Sequence, residues 1–239
     1  MSNGKERRVS ERFKTDFDLE GFGKLEFMNF PNCIPLRDLS YGGFSIKAKE
    51  YSFDEKQNDY LNSDNIKFKL HLLGDIVEGS ACFASSSKEF MGFSFKHENT
   101  KVLIFLRNFL EFMRWGTRLE ALDKKLVKEK YRADEFICFR GEGPTDCIFR
   151  VNMSGEIEEM LLTFREKEEY RELAFKNEKI STRKAIDFDG DATRMAETES
   201  IDVAIFRKGI SILIGLIQSP THRRLGHQAL KKCLPFLQS

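Results

Sequence analysis

The chain of 239 residues is 41% hydrophobic, 32% charged and 12% aromatic, which is enough apolar material for a buried core and too much for extended disorder. Lys and Arg number 39 against 38 Asp and Glu, a balance that excludes a protein built to coat nucleic acid or an anionic membrane through bulk charge. The length suits two modules of roughly 100–150 residues each.

From the start, Met1 to Arg12 is polar and charged, so no secretory signal is expected, and Ser2 excludes myristoylation. Residues 13 to 95 then read as strands, because β-favouring runs are broken at short intervals by Gly, Pro, Asn and Asp. These runs are Phe13 to Leu19, Lys24 to Phe30, Asn32 to Asp38, Phe44 to Ala48, Ile66 to Leu73, Val77 to Ala84 and Phe90 to Phe95. Their succession predicts a small antiparallel barrel or sandwich. Glu50 to Asp64 reads as a long polar loop. From Asn99, a plausible N-cap, the period changes: Val102, Leu106, Phe109 and Met113 form one helical stripe that needs a surface to cover, and the open end of the barrel is the nearest. Leu119, Leu122 and Leu126 extend that helix past Gly116 as a connector.

In the second half, Phe136 to Phe139 and Cys147 to Val151 read as strands around the turn Gly141 to Pro144, and Glu156 to Leu162 fits either strand or helix. Asp187 to Ser200 is polar. Ile201 to Gln218 reads as a strongly apolar helix ended by Pro220, and His222 to Phe236 as a final helix. The apolar helix is either the core of a second domain or a homodimer seam.

Metal and redox chemistry find little support. Cys33, Cys82, Cys138, Cys147 and Cys233 are odd in number and scattered, so neither a disulfide framework nor a zinc site is expected, and a reducing cytoplasm is the expected home. His71, His97, His222 and His227 read as structural or surface residues. Asp187-x-Asp189-Gly190-Asp191 partly matches a calcium loop, but its glycine comes one place early and Thr198 stands where a glutamate is needed, so a polar turn is the better reading. The longest apolar stretch, Gly209 to Ile217, falls far short of the about 20 residues that span a membrane, and no membrane insertion is expected.

One constellation carries a ligand reading. Arg8 and Arg12 form Arg-x-x-x-Arg just before the first predicted strand, preceded by Arg7, and Asp38, Ser40 and Gly43 form Asp-x-Ser-x-x-Gly between two predicted strands. Guanidinium groups donate paired hydrogen bonds to guanine O6 and N7 or to phosphates, and a carboxylate accepts the N1–H and N2–H donors of guanine. Even spacing in an extended segment puts Arg8 and Arg12 on one side, and likewise Asp38 and Ser40; Arg7 joins them if the arm bends. Gly42 and Gly43 allow close approach of a ligand to the backbone.

This double motif resembles that of the PilZ family, from about residue 5 to residue 115. The resemblance implies a mainly β fold, followed by α+β: a six-stranded antiparallel β-barrel with a covering helix over residues 1–115. It implies a cyclic di-GMP site on the outside of the barrel, formed by Arg7, Arg8, Arg12, Asp38, Ser40 and Gly43, and binding without catalysis. Residues 116–239 match no recognised pattern and are expected to form a smaller α+β domain that ends in two helices and engages a protein partner. The rival readings are a cyclic di-GMP-regulated transcription factor with a basic recognition helix within Thr221 to Lys232, and a PilZ-like interaction protein that binds no nucleotide. The run Thr221-His222-Arg223-Arg224, with Lys231 and Lys232, more often forms a solvated face than a nucleic-acid contact.

Overall fold

In the computed structural model the chain divides into two units, Met1–Leu110 and Glu111–Ser239. The residues described are 11–15, 23–28, 30, 32–47, 53–96, 98–141, 145–189, 192–197 and 200–237.

The first unit holds strands β1 (Phe13–Lys14), β2 (Gly23–Phe27), β3 (Cys33–Ser40), β4 (Gly43–Lys47), β5 (Ile66–Leu72), β6 (Asp75–Ser86) and β7 (Phe90–Phe95). They hydrogen-bond in the order β1-β3-β2-β5-β6-β7-β4, and β4 pairs back onto β3, so β2 to β7 close a six-stranded antiparallel barrel. The period of two sorts the side chains: in β5, Ile66, Phe68, Leu70 and Leu72 are buried, while Lys67, Lys69 and His71 alternate with them on the outer face. Four phenylalanines, Phe27, Phe44, Phe68 and Phe93, fill the barrel; Phe44 stacks on Phe93 and meets Phe68 edge-on, both at 5.1 Å. Each such burial stabilises the fold by about 1.5–3 kcal/mol. β1 is short but anchored. Phe13 is 2% exposed, and Thr15 donates its hydroxyl to the Leu36 carbonyl at 2.8 Å and its N–H to the Arg37 carbonyl at 2.9 Å.

Two local expectations change here. The expected polar loop Glu50 to Asp64 contains a helix, α1 (Glu55–Leu61), held by a capping box between Asp54 and Gln57 and anchored by buried Leu61. Its Tyr60 hydroxyl accepts the Lys67 N–H at 2.7 Å and donates to the Lys67 carbonyl at 3.0 Å, fastening the helix to β5. The second change concerns Asn99, which precedes α2 (Thr100–Thr117). Its carbonyl accepts the Leu103 N–H, but its carboxamide faces Ser80 of β6, accepting the Ser80 N–H at 3.0 Å and donating to the Ser80 carbonyl. Gly79 beside it leaves room for Val102, whose Cγ2 lies 2.6 Å from where a Cβ would stand. The helix is thus pinned to the barrel wall at its start.

α2 begins in the first unit, and its last turns belong to the second. The stripe expected from Val102 to Met113 is buried throughout and runs past the end of the first unit. In the second unit, Phe112 packs on Phe164 at 5.7 Å and on Trp115 at 4.6 Å. The helix stops at Thr117 instead of continuing through Leu119 to Leu126, where a short strand and 3-10 turns follow.

The second unit is the larger of the two, contrary to expectation. Its strands β8 (Glu120–Ala121), β9 (Phe136–Arg140), β10 (Asp146–Val151), β11 (Ile157–Glu166), β12 (Glu169–Lys176), β13 (Lys179–Asp189) and β14 (Ala192–Glu197) form a seven-stranded antiparallel sheet in simple sequence order. The segment expected as a polar turn, Asp187 to Asp191, lies where β13 gives way to β14: Asp187 to Asp189 end β13 and Ala192 begins β14, with 190 and 191 outside the described residues. Two helices, α3 (Val203–Gln218) and α4 (Arg223–Cys233), complete the unit. α3 is the core: Ile205, Phe206, Ile210, Ile212 to Ile214, Leu216 and Ile217 are all 3% exposed or less. Close helix crossing depends on glycines, since a Cβ on Gly215 would stand 1.9 Å from the Met113 carbonyl oxygen and one on Gly116 1.9 Å from that of Ile212. Asp202 caps α3 by accepting the Ala204 and Ile205 N–H groups at 3.0 and 3.1 Å, and its other oxygen meets Lys184 at 2.5 Å. Among the described residues no helix is long and apolar enough to cross a membrane.

Candidate functional site

The antiparallel pairing of β1 with β3 sets Phe13 opposite Leu39 and Lys14 opposite Asp38. This register continues along β3 beyond the β2 pairing, which covers Cys33, Ile34 and Pro35. Phe13 points into the barrel, so its neighbours Arg12 and Lys14 are left on the outer face. Arg12 thereby reaches Asp38: its Nη1 donates to Asp38 Oδ1 at 2.8 Å. The two motifs, 26 positions apart in sequence, meet at this contact. The Arg12 side chain is 36% exposed and that of Asp38 14%, so the carboxylate is mostly shielded while the guanidinium keeps donors available to solvent. Arg7 and Arg8 lie outside the described residues.

Ser40 and Gly43 carry structural tasks in the β3–β4 turn. The β3–β4 pairing shifts register between Leu36 and Asp38, a bulge that turns Leu39 inward after Leu36 and leaves Asp38 on the outer face; beyond it the pairing is regular, and Ser40 is buried where the strand enters its turn. Ser40 is 2% exposed and donates its hydroxyl to the Gly43 carbonyl at 3.1 Å, closing the Tyr41–Gly42 turn. Gly43 is required for a packing reason: a Cβ there would stand 2.0 Å from the Phe93 carbonyl oxygen, where β4 approaches β7. These two residues shape the turn, while Arg12 and Asp38 carry the polar surface beside it. Sequence reasoning missed Tyr41, 39% exposed at the tip of that turn, and Lys14, exposed opposite Asp38. Strand alternation from Phe13 would have marked Lys14.

Elsewhere on the barrel, Glu26, Cys33 and His71 bring one carboxylate, one thiol and one imidazole within 4.8 Å of one another. Sequence spacing gave no sign of this cluster. In the second unit, a groove of about 520 Å³ on the sheet is lined by Phe136, Ile148, Arg150, Glu159, Lys176 and Arg183, among others. Most of its charges are paired: Arg150 meets Glu159 at 2.8 Å, Lys176 meets Glu159 at 3.3 Å and Arg183 meets Glu172 at 3.5 Å. Three of the four Lys and Arg residues of α4 are engaged too, with Arg223 on the Ile217 carbonyl, Arg224 on that of Ser154 and Lys232 on Glu178. Three cysteines scattered in sequence, Cys138, Cys147 and Cys233, come near one another in this unit, and burial pushes the Cys233 thiol up to about 12 and Cys147 well above the ordinary thiol range.

No family model and no curated protein matches the chain. Among solved structures, an uncharacterized Legionella protein is similar over 42% of this chain and 95% of its own, at 16% identity and a TM-score of 0.31, a likeness too slight to assign a function.

Proposed function

We propose that the first unit is a PilZ-like cytoplasmic receptor that binds cyclic di-GMP without turning it over, and that the second unit passes the signal to a protein partner. The observation that carries this reading is the 2.8 Å contact between Arg12 and Asp38 on the outside of a closed six-stranded barrel, beside the β3–β4 turn. An arginine and a shielded carboxylate side by side offer complementary halves of guanine recognition: donors for O6 and N7, and acceptors for N1–H and N2–H. In the free protein each group satisfies the other. The ligand must therefore exchange that contact for its own, with Arg12 turning its remaining N–H donors to the base or phosphate and Asp38 its second oxygen. Arg7 and Arg8 supply further guanidinium donors from the adjoining segment. Tyr41, exposed at the turn, offers a ring face for a purine.

Calorimetric titration of the full chain with cyclic di-GMP, cyclic di-AMP and a mixed guanine–adenine cyclic dinucleotide tests the proposal. Saturable binding of the guanine-containing ligands, with cyclic di-AMP weaker, is expected. Binding of none, or equal binding of all three, would overturn it.

A further inference from the structure

The outer face of the barrel holds a second constellation on three adjacent strands, with β2 in the middle. Glu26 of β2 pairs directly with Cys33 of β3, and on the other side with Lys69 of β5, so that His71 stands diagonally across from it. All three side chains point outward by strand alternation, since Leu25, Phe27, Ile34 and Leu70 between them are buried. Directly opposed residues have Cβ atoms about 4.5–5.5 Å apart and diagonal ones about 7–8 Å, within reach of a carboxylate and an imidazole. The side chains in fact converge, with all three ligand atoms within 4.8 Å of one another.

The contact between the imidazole and the carboxylate has an unusual form. His71 Nε2 lies 3.4 Å from Glu26 Oε2, yet among the described residues it makes no hydrogen bond, although the atom is shielded from solvent. A shielded imidazole nitrogen facing a carboxylate oxygen out of hydrogen-bond geometry is placed as a ligand would be. With metal bonds of about 2.1 Å, nitrogen and oxygen ligands on a tetrahedral zinc ion stand roughly 3.4 Å apart. The other carboxylate oxygen, Oε1, accepts from Lys69 Nζ at 3.0 Å, which fixes the carboxylate and leaves Oε2 as the ligating atom. Cys33 is exposed, so an ion can enter from solvent and keep water in a fourth position.

We propose that Glu26, Cys33 and His71 form a divalent metal site of the zinc type, with one thiolate, one imidazole and one carboxylate oxygen as ligands. The mixed sulfur, nitrogen and oxygen set favours zinc or cobalt over calcium or magnesium, which take oxygen ligands. The site is independent of the nucleotide reading and lies toward the opposite end of β3 from Asp38.

Cobalt(II) titration of the full-length, metal-stripped protein tests it, because a cobalt–thiolate bond absorbs strongly in the near ultraviolet. One cobalt ion per chain with that band, displaced by zinc, is expected. Cys33→Ser should abolish the band. Glu26→Gln and His71→Gln should each weaken binding at least as much as loss of an outer-shell partner does, about 10–100-fold. Cys82→Ser, a half-buried thiol on another strand, should leave the band unchanged. A second measurement needs no variant: zinc should slow labelling of Cys33 by dithiobis(nitrobenzoate) at least tenfold. A thiolate band that survives Cys33→Ser, affinity unaffected by His71→Gln in a folded variant, or Cys33 labelling indifferent to zinc would overturn the proposal.

Discussion

Removing Arg12 and Asp38 singly and together separates the stability of their contact from its use in binding. With side chains 36% and 14% exposed, the pair contributes only about 0–1 kcal/mol to folding. The anchors of β1, buried Phe13 and the two Thr15 hydrogen bonds, lie beyond Arg12 and remain in Arg12→Ala. Thermal unfolding of Arg12→Ala should therefore stay close to that of the parent. Cyclic di-GMP affinity should not: one lost bidentate guanine contact costs about 1–3 kcal/mol, roughly a 5- to 150-fold rise in Kd. Asp38→Ala strips the acceptor from two guanine donors that become desolvated on binding, at a similar cost of about 1–3 kcal/mol. If both groups serve one base, the double variant should lose less than the sum of the singles, with a coupling of about 0.5–3 kcal/mol. Calorimetry on the four proteins measures each quantity, and Arg224→Ala, the same charge change in the second unit, is the control. Equal weakening by Arg224→Ala and Arg12→Ala would show that bulk charge holds the ligand. Unchanged affinity in Arg12→Ala would refute the site itself.

Gly43→Ala should destabilise the first unit by about 1–3 kcal/mol or more in urea unfolding, because the new Cβ meets the Phe93 backbone oxygen at 2.0 Å and neither strand can yield cheaply. Asp202→Ala should cost the second unit about 1 kcal/mol by uncapping α3. Burial opposes ionisation of Asp202, but the Lys184 hydrogen bond and the helix N–H groups outweigh it, so its pKa is lowered. Its contribution is thus complete above the unfolded-state value of about 3.9 and lost as pH falls from there through the lower folded-state value, which acid unfolding of parent and variant compares. In the metal-free protein, Cys33 should react first with a thiol reagent, whereas Cys147 and Cys233, buried and with raised pKa values, should react only on unfolding; a fast-reacting Cys147 would contradict the packing around α4.

The barrel was legible because each strand carries its own alternation and its own breakers, and because the phenylalanines mark the inner face. What closes the ring, the β3–β4 pairing, has no local signature. α1 escaped notice because it is short and buries one residue, Leu61, too little for a helical period to appear; its Asp54–Gln57 capping box was the available signal. The apolar period of α2 was correct, but periodicity shows that a face is buried and not what covers it, so the end of the first unit within this helix was hidden. At the candidate site, the motifs singled out Arg12 and Asp38, but nothing in their spacing indicated that the two side chains meet. The bulge at Leu36/Asp38, which brings Asp38 to the outer face, could not be read from residue types, nor could the turn that buries Ser40. The Glu26, Cys33 and His71 cluster depends on register across three strands, which the order of the chain does not reveal.

The burial of Ser40 in its turn decides which substitutions are informative. Were the Ser40 hydroxyl exposed beside Asp38, loss of binding in Ser40→Ala would count as evidence for a ligand contact. With the hydroxyl buried and donated to the Gly43 carbonyl, Ser40→Ala loosens the β3–β4 turn, and any change in affinity passes through Asp38 and Tyr41, which that turn positions. Gly43 is confounded more severely, because its replacement forces β4 from β7. Motif membership therefore does not equal ligand contact in this chain. Of the four described motif residues, Arg12 and Asp38 have side chains on the outer face without a structural task that their removal would break, so the binding hypothesis stands or falls on those two.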